Sequence, residues 1–92
     1  MDSLSGLYAF VRAAESRSFV AAGRLLGVSS SAIGKSVMRL ESRVGIRLFH
    51  RSTRQIRLTE EGELFFERCR RILGEIDEAE LELTRLKEAP RG

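Results

Sequence analysis

Apolar residues recur along this chain in three helical stripes, then in a short alternation, then in one long stripe. Leu4, Leu7, Phe10, Val11 and Ala14 share one face of a first helix, from about Leu4 to Ser16, with Asp2 or Ser3 able to cap it. Ser16-Arg17-Ser18 breaks that pattern, either as a plain turn or with Arg17 and Ser18 also able to touch a phosphate, and Ser18 is placed to cap a second helix with Phe19, Ala22, Leu25 and Leu26 inward. Gly27 can adopt the left-handed conformation that closes it, and Val28 is expected to bury in the corner. Ser29 then caps a third helix whose stripe is Ile33, Val37, Leu40 and Val44, ended by Gly45. A short helix, a Gly-containing turn and a longer helix predict a helix-turn-helix.

After Val44 the period shortens. Leu48-Phe49-His50 and Gln55-Ile56-Arg57-Leu58 read as two short strands around Arg51-Ser52-Thr53-Arg54. Such a hairpin is marginal alone, so it must pack on the helices through Ile46, Leu48, Ile56 and Leu58. Thr59 can cap a last helix, with Glu60 and Glu61 in its first turn, where the dipole favours negative charge. From there Phe65, Cys69, Ile72, Ile76, Ala79, Leu83 and Leu86 recur in alternating steps of four and three, a heptad stripe. A helix from Glu60 to Glu88 would be roughly 40 Å long at ~1.5 Å per residue. A domain this small cannot cover such a stripe, so a partner helix or a second domain is expected. The fold class is mainly α, a winged helix-turn-helix followed by a long helix. The divisions expected are 1–58, 59–89, and 90–92 as the start of a hinge.

Composition changes this picture in two places. The net charge of +3 hides an asymmetry: residues 1–58 hold ten Lys/Arg against three acids, residues 59–92 six against ten. A basic head on an acidic tail points to a polyanion partner for the head alone. The single cysteine excludes an internal disulfide and suits a reducing cytosol, and neither a signal peptide nor a membrane-length apolar run is present, so a cytoplasmic protein is expected. Cys69, on the apolar stripe, is expected to pack rather than react.

The outer face of the third helix carries the candidate chemistry. Ser30, Ser31, Gly34, Lys35 and Met38 lie away from the apolar stripe, mostly short, with one cation. Gly34 costs the helix about 1 kcal/mol against Ala, which a plain solvated face does not require. Small side chains let a helix N-terminus approach bases and phosphates. A wing with Arg51 and Arg54 around Ser52 and Thr53 suits phosphates and a narrow minor groove. His50 has no Cys, Asp or second His at metal-ligand spacing, so no metal and no cofactor is expected.

The run Leu7 to Gly62, above all SFVAAGRLLGVS, the LE..VGIRLFHR segment and LTEEG, resembles the N-terminal winged helix-turn-helix and linker helix of LysR-type transcriptional regulators. The resemblance covers nearly all of the chain. It departs from the family at the start of the recognition helix, where Gln-Pro-Ala and a Ser-Arg pair are common and this chain has Ser30, Ser31, Ala32, Gly34 and Lys35. What it implies is sequence-specific binding of double-stranded DNA by a homodimer at an inverted repeat. Ser30, Ser31, Gly34 and Lys35 would face bases. Ser18, Arg24, Ser29, Arg39 and Arg43 would hold phosphates. Arg51 is implied as a phosphate contact, Arg54 as the minor-groove residue, with Ser52 and Thr53 between them. The dimer would form, antiparallel, through Phe65, Cys69, Ile72, Ile76, Ala79, Leu83 and Leu86, with a lesser contribution from Leu7, Tyr8 and Val11. A small-molecule effector would belong to a domain absent from this chain. Two other classes compete. A protein-docking winged helix is disfavoured by the basic wing, and an enzyme by the lack of a His-carboxylate cluster, phosphate-binding loop or nucleophile-base pair.

Overall fold

The structure is a computed structural model, and it describes residues 3–51 and 55–88. Asp2, the wing residues Ser52, Thr53 and Arg54, and residues 89–92 lie outside the described residues. The elements are α1 (Ser3–Ser16), α2 (Phe19–Leu26), α3 (Ser30–Val44), β1 (Phe49–Arg51), β2 (Ile56–Leu58) and α4 (Glu60–Glu88). The two strands pair antiparallel, Phe49 opposite Leu58 and Arg51 opposite Ile56. Three short helices and the hairpin form a head, and α4 extends from it, so the molecule measures 58 × 24 × 23 Å.

The helix ends follow from local chemistry. Ser18 is extended and its hydroxyl accepts from the Ala21 N–H; Ser29 does the same for Ala32. Gly27 and Gly45 close α2 and α3 at φ of 72° and 74°, where a side chain would be strained. Thr59 welds α4 to the hairpin. Its hydroxyl donates to the Arg47 carbonyl at 2.8 Å and accepts from the Gly62 N–H at 2.9 Å. Its own N–H donates to the Leu48 carbonyl at 2.9 Å.

The core joins all of these elements. Ala9, Phe10, Val11 and Ala13 of α1 meet Ala22, then Ile33, Val37 and Leu40 of α3, Leu48 and Phe49 at β1, and Cys69 and Leu73 of α4. Phe10 is the hub. Its ring centroid lies 5.5 Å from those of both Phe49 and Phe65, so one fully buried side chain couples hairpin and long helix.

Several expected core positions are not core. Leu4, Leu25, Leu26, Val28, Val44 and Ile46 are exposed. For α2 the reason is its length: eight residues allow about two turns, and Phe19, Ala22 and Gly23 take the inner face. The turn after it packs by backbone, not by the Val28 side chain. A Cβ on Gly23 would lie 2.5 Å from the Val28 carbonyl, so glycine is required there, and the Val28 N–H donates to the Gly23 carbonyl at 2.9 Å. Ala9, Ala13, Phe49 and Leu73, not among the expected core positions, are buried. No described helix is long and apolar enough to cross a membrane.

Candidate nucleic-acid interface

The start of α3 is open to solvent. Ser29, Ser30, Ser31, Lys35, Met38 and Arg39 are exposed, while Gly34 is half-buried, with the Phe19 ring 3.6 Å from where its Cβ would be. Gly34 therefore serves the Phe19 contact as well as close approach from outside. Beside it lies a concavity where the N-terminal ends of α2 and α3 face the hairpin, lined by Arg17, Ser18, Ser30, Ser31, Gly34 and Arg51 among others. Two guanidiniums and three hydroxyls lie around one depression with two helix N-termini beside it, a chemistry suited to anionic oxygens.

Arg17 sits at the break between α1 and α2. It ends α1 with φ of 58° and its N–H donates to the Ala13 carbonyl at 2.8 Å. Glycine is the usual occupant of that conformation, and an L-residue pays about 1–2 kcal/mol there. The strained turn puts an arginine on the rim of the concavity.

Arg51 is held more firmly than a bare wing cation. Its Nη2 donates to Glu41 Oε1 at 2.7 Å, while Glu41 Oε2 accepts from the Leu48 and Phe49 N–H groups at 2.9 and 3.2 Å. Glu41 is nine-tenths buried, so this carboxylate both caps the start of β1 and aims the arginine. A residue passed over in the sequence thus organises one of the predicted contacts.

The other expected cations divide by element. Arg24 is exposed in the last turn of α2, and Arg39 and Arg43 are exposed along α3. His50 is exposed on β1 opposite Arg57. Among the described residues no cluster of three or more His, Cys, Asp or Glu side chains is arranged to hold a metal ion.

The long stripe of α4 is split. Phe65 and Ile76 are half-buried against the core and Cys69 is 1% exposed, so the structure does not offer Cys69 to a partner. Burial pushes its thiol pKa up, as a packing role requires. Val11 is likewise sealed by its own chain and removed from any dimer contact, whereas Leu7 and Tyr8 are half-buried. The Tyr8 hydroxyl donates to Asp77 Oδ1 at 3.4 Å, tying α1 to α4; partial burial and then the Asp77 charge raise its pKa. Ile72, between Cys69 and Ile76, is exposed, as are Ala79, Leu81, Leu83 and Leu86 further out.

A family model described as "Bacterial regulatory helix-turn-helix protein, lysR family" matches residues 4–63. The chain belongs to that family. An HTH-type transcriptional regulator of Xanthomonas campestris pv. campestris is 45% identical over 83 residues, which are 90% of this chain and 24% of that protein. The HTH-type transcriptional regulator PtxR of Pseudomonas aeruginosa is 44% identical over 90 residues, 98% of this chain and 29% of PtxR. This LysR-type chain therefore spans about a quarter of the length of the curated relatives it matches. Among solved structures, that described as "BenM_DBD/catB site 1 DNA Complex" superposes with a TM-score of 0.85 at 26% identity, covering 99% of this chain and 100% of that one.

Proposed function

We propose that this chain is the DNA-binding part of a LysR-type transcriptional regulator and grips double-stranded DNA as a two-fold dimer. Residues 1–58 act as the reading head and 59–89 as the linker and dimerisation helix. The observation that carries the reading is the outward face of α3. Its first two turns present Ser30, Ser31 and Lys35, and the only acid of that helix, Glu41, is turned inward onto Arg51 and β1. A helix with an exposed cationic face and small leading residues fits a major groove about 12 Å wide. The DNA complex solved for the BenM domain of the same fold supports the assignment.

In this arrangement Ser30, Ser31, Gly34 and Lys35 approach base edges, with Lys35 offering a point charge to purine acceptors. Ser18, Ser29, Arg24, Arg39 and Arg43 position the backbone, and Arg17 joins them. Arg51, aimed by Glu41, holds a phosphate beside the wing, and Arg54, with Ser52 and Thr53 between the two arginines, is the residue proposed for the minor groove. The dimer closes through the exposed part of the α4 stripe, Ile72, Ala79, Leu83 and Leu86. A two-fold pair implies an inverted repeat whose half-sites keep step with the duplex.

The test is selection of duplexes from a random pool, followed by titration at several salt concentrations. An inverted repeat and an affinity falling steeply with salt are expected, because phosphate contacts release counterions. Lys35→Ala should relax preference at particular base pairs, and Arg51→Ala should weaken all duplexes alike. No enriched sequence, or an affinity indifferent to salt, refutes the proposal.

A further inference from the structure

We propose that Met38 is a specificity residue that reads the 5-methyl group of a thymine in each half-site; this rests on the DNA-binding reading above. Met38 is 56% exposed near the middle of α3 and is absent from the residues packed on the core. Steps of four, three and four place Ser31, Lys35, Met38 and Ser42 on one stripe of the helix surface, so Met38 lies on the same stripe as the predicted base-facing residues, one turn beyond Lys35. It lines a shallow depression with Lys35, Arg39, Ser42 and Arg43. An apolar side chain set among three cations and a hydroxyl is poor at binding phosphate and unnecessary for solvation. The major groove holds one apolar group, the thymine methyl, and apolar side chains recognise it by contact. Methionine has the reach and adaptability for this: an unbranched thioether on three rotatable bonds can cover a methyl from more than one backbone position. The hydroxyls of Ser30 and Ser31 discriminate little between bases, so a contact of this kind adds information where the leading residues supply little.

The experiment uses the duplex selected from a random pool by the 92-residue chain. Each thymine is replaced in turn by deoxyuridine, which removes the methyl and keeps base pairing. Wild type should lose about four-fold in affinity at one symmetry-related thymine per half-site, the worth of one buried methyl. Met38→Ala should bind the thymine duplex more weakly by a similar or larger factor and show no further loss with deoxyuridine at that position. Met38→Leu should restore part of the sensitivity. Because the side chain is exposed, the variants keep the fold, which circular dichroism checks. A wild type indifferent to every replacement overturns the proposal. So does a Met38→Ala chain with the full four-fold loss, or selected half-sites without thymine. Failure to select any duplex brings down the DNA-binding reading itself and is distinguished by that first step.

Discussion

Removing the Glu41 carboxylate isolates what holds the hairpin on the head. In Glu41→Ala the Leu48 and Phe49 N–H groups lose their acceptor in a buried setting, and Arg51 loses its partner. Leaving a buried donor unpaired costs about 1–3 kcal/mol. Two such donors, relieved in part by water entering the vacated space, make a loss of about 3 kcal/mol. The Arg51 guanidinium adds little, since it is a third exposed and rehydrates. In Glu41→Gln a carbonyl oxygen can still serve both N–H groups and only the charge is lost, so about 1 kcal/mol is expected. For a domain of this size each kcal/mol shifts Tm by about 4–8 °C, so the alanine variant should melt ~12–24 °C lower and the glutamine variant ~4–8 °C lower. Thermal and urea unfolding followed by circular dichroism measures both, at one fixed protein concentration because the proposed dimer would make Tm depend on it. An alanine variant within 1 kcal/mol of wild type refutes the claim that this carboxylate anchors β1. A glutamine variant as unstable as the alanine one shows that charge pairing, not N–H acceptance, is what matters.

Gly62→Ala should destabilise by about 2 kcal/mol despite the better helix former, because its Cβ would drive into the Leu48 backbone carbonyl, while Gly74→Ala, with open space around it, should stabilise by about 1 kcal/mol; equal signs in urea melts would refute the packing. Arg17→Gly should relieve the left-handed strain, raise stability by about 0.5–1 kcal/mol and weaken DNA binding, so a variant with unchanged affinity removes Arg17 from the interface. Replacing both Leu83 and Leu86, which are 70% and 68% exposed, by Glu should shift sedimentation equilibrium to the monomer without altering the head, and an intact dimer would place the contact elsewhere. The Cys69 thiol should resist an aromatic disulfide reagent until the chain is denatured. Its raised pKa also means that its neutral form stabilises the fold fully below the unfolded value of about 8.5, and that this contribution fades as pH rises through the folded value; Cys69→Ala should show a flatter loss above that pH.

How much of this was legible in the sequence depended on whether a feature is local. The caps at Ser18, Ser29 and Thr59, the left-handed ends at Gly27 and Gly45, and the span Glu60–Glu88 all follow from neighbouring residues, and the structure has them. The strands came within one residue of their observed places, since alternation marks a strand better than its ends. Leu25 and Leu26 misled because a helix of two turns need not bury every apolar residue on its inner side. Glu41 was overlooked because a charge inside an apolar stripe reads as noise. Its spacing of four from Val37 was visible, but its partners lie seven to ten residues on and meet it only after folding. The division of the α4 stripe, with Phe65, Cys69 and Ile76 docked and Ile72, Ala79, Leu83 and Leu86 exposed, depends on how α1 packs against it, a tertiary fact. Of the residues assigned to DNA, Arg24, Ser29, Ser30, Ser31, Lys35, Arg39, Arg43 and Arg51 are exposed, Ser18 and Gly34 are half-buried, and Ser52, Thr53 and Arg54 fall outside the described residues.

The Thr59 junction makes the head and its long helix a single lever. Hydroxyl and backbone bonds from one residue fix the root of α4 to the hairpin, and Phe10 clamps both from beneath. With an arm of roughly 40 Å, a swing of about 5° at the far end carries the head sideways by roughly 3.5 Å. That displacement is close to one base step along a strand, ~3.4 Å. In a pair of such levers, a small change of crossing angle would re-space the two heads along the duplex without any rearrangement inside either of them.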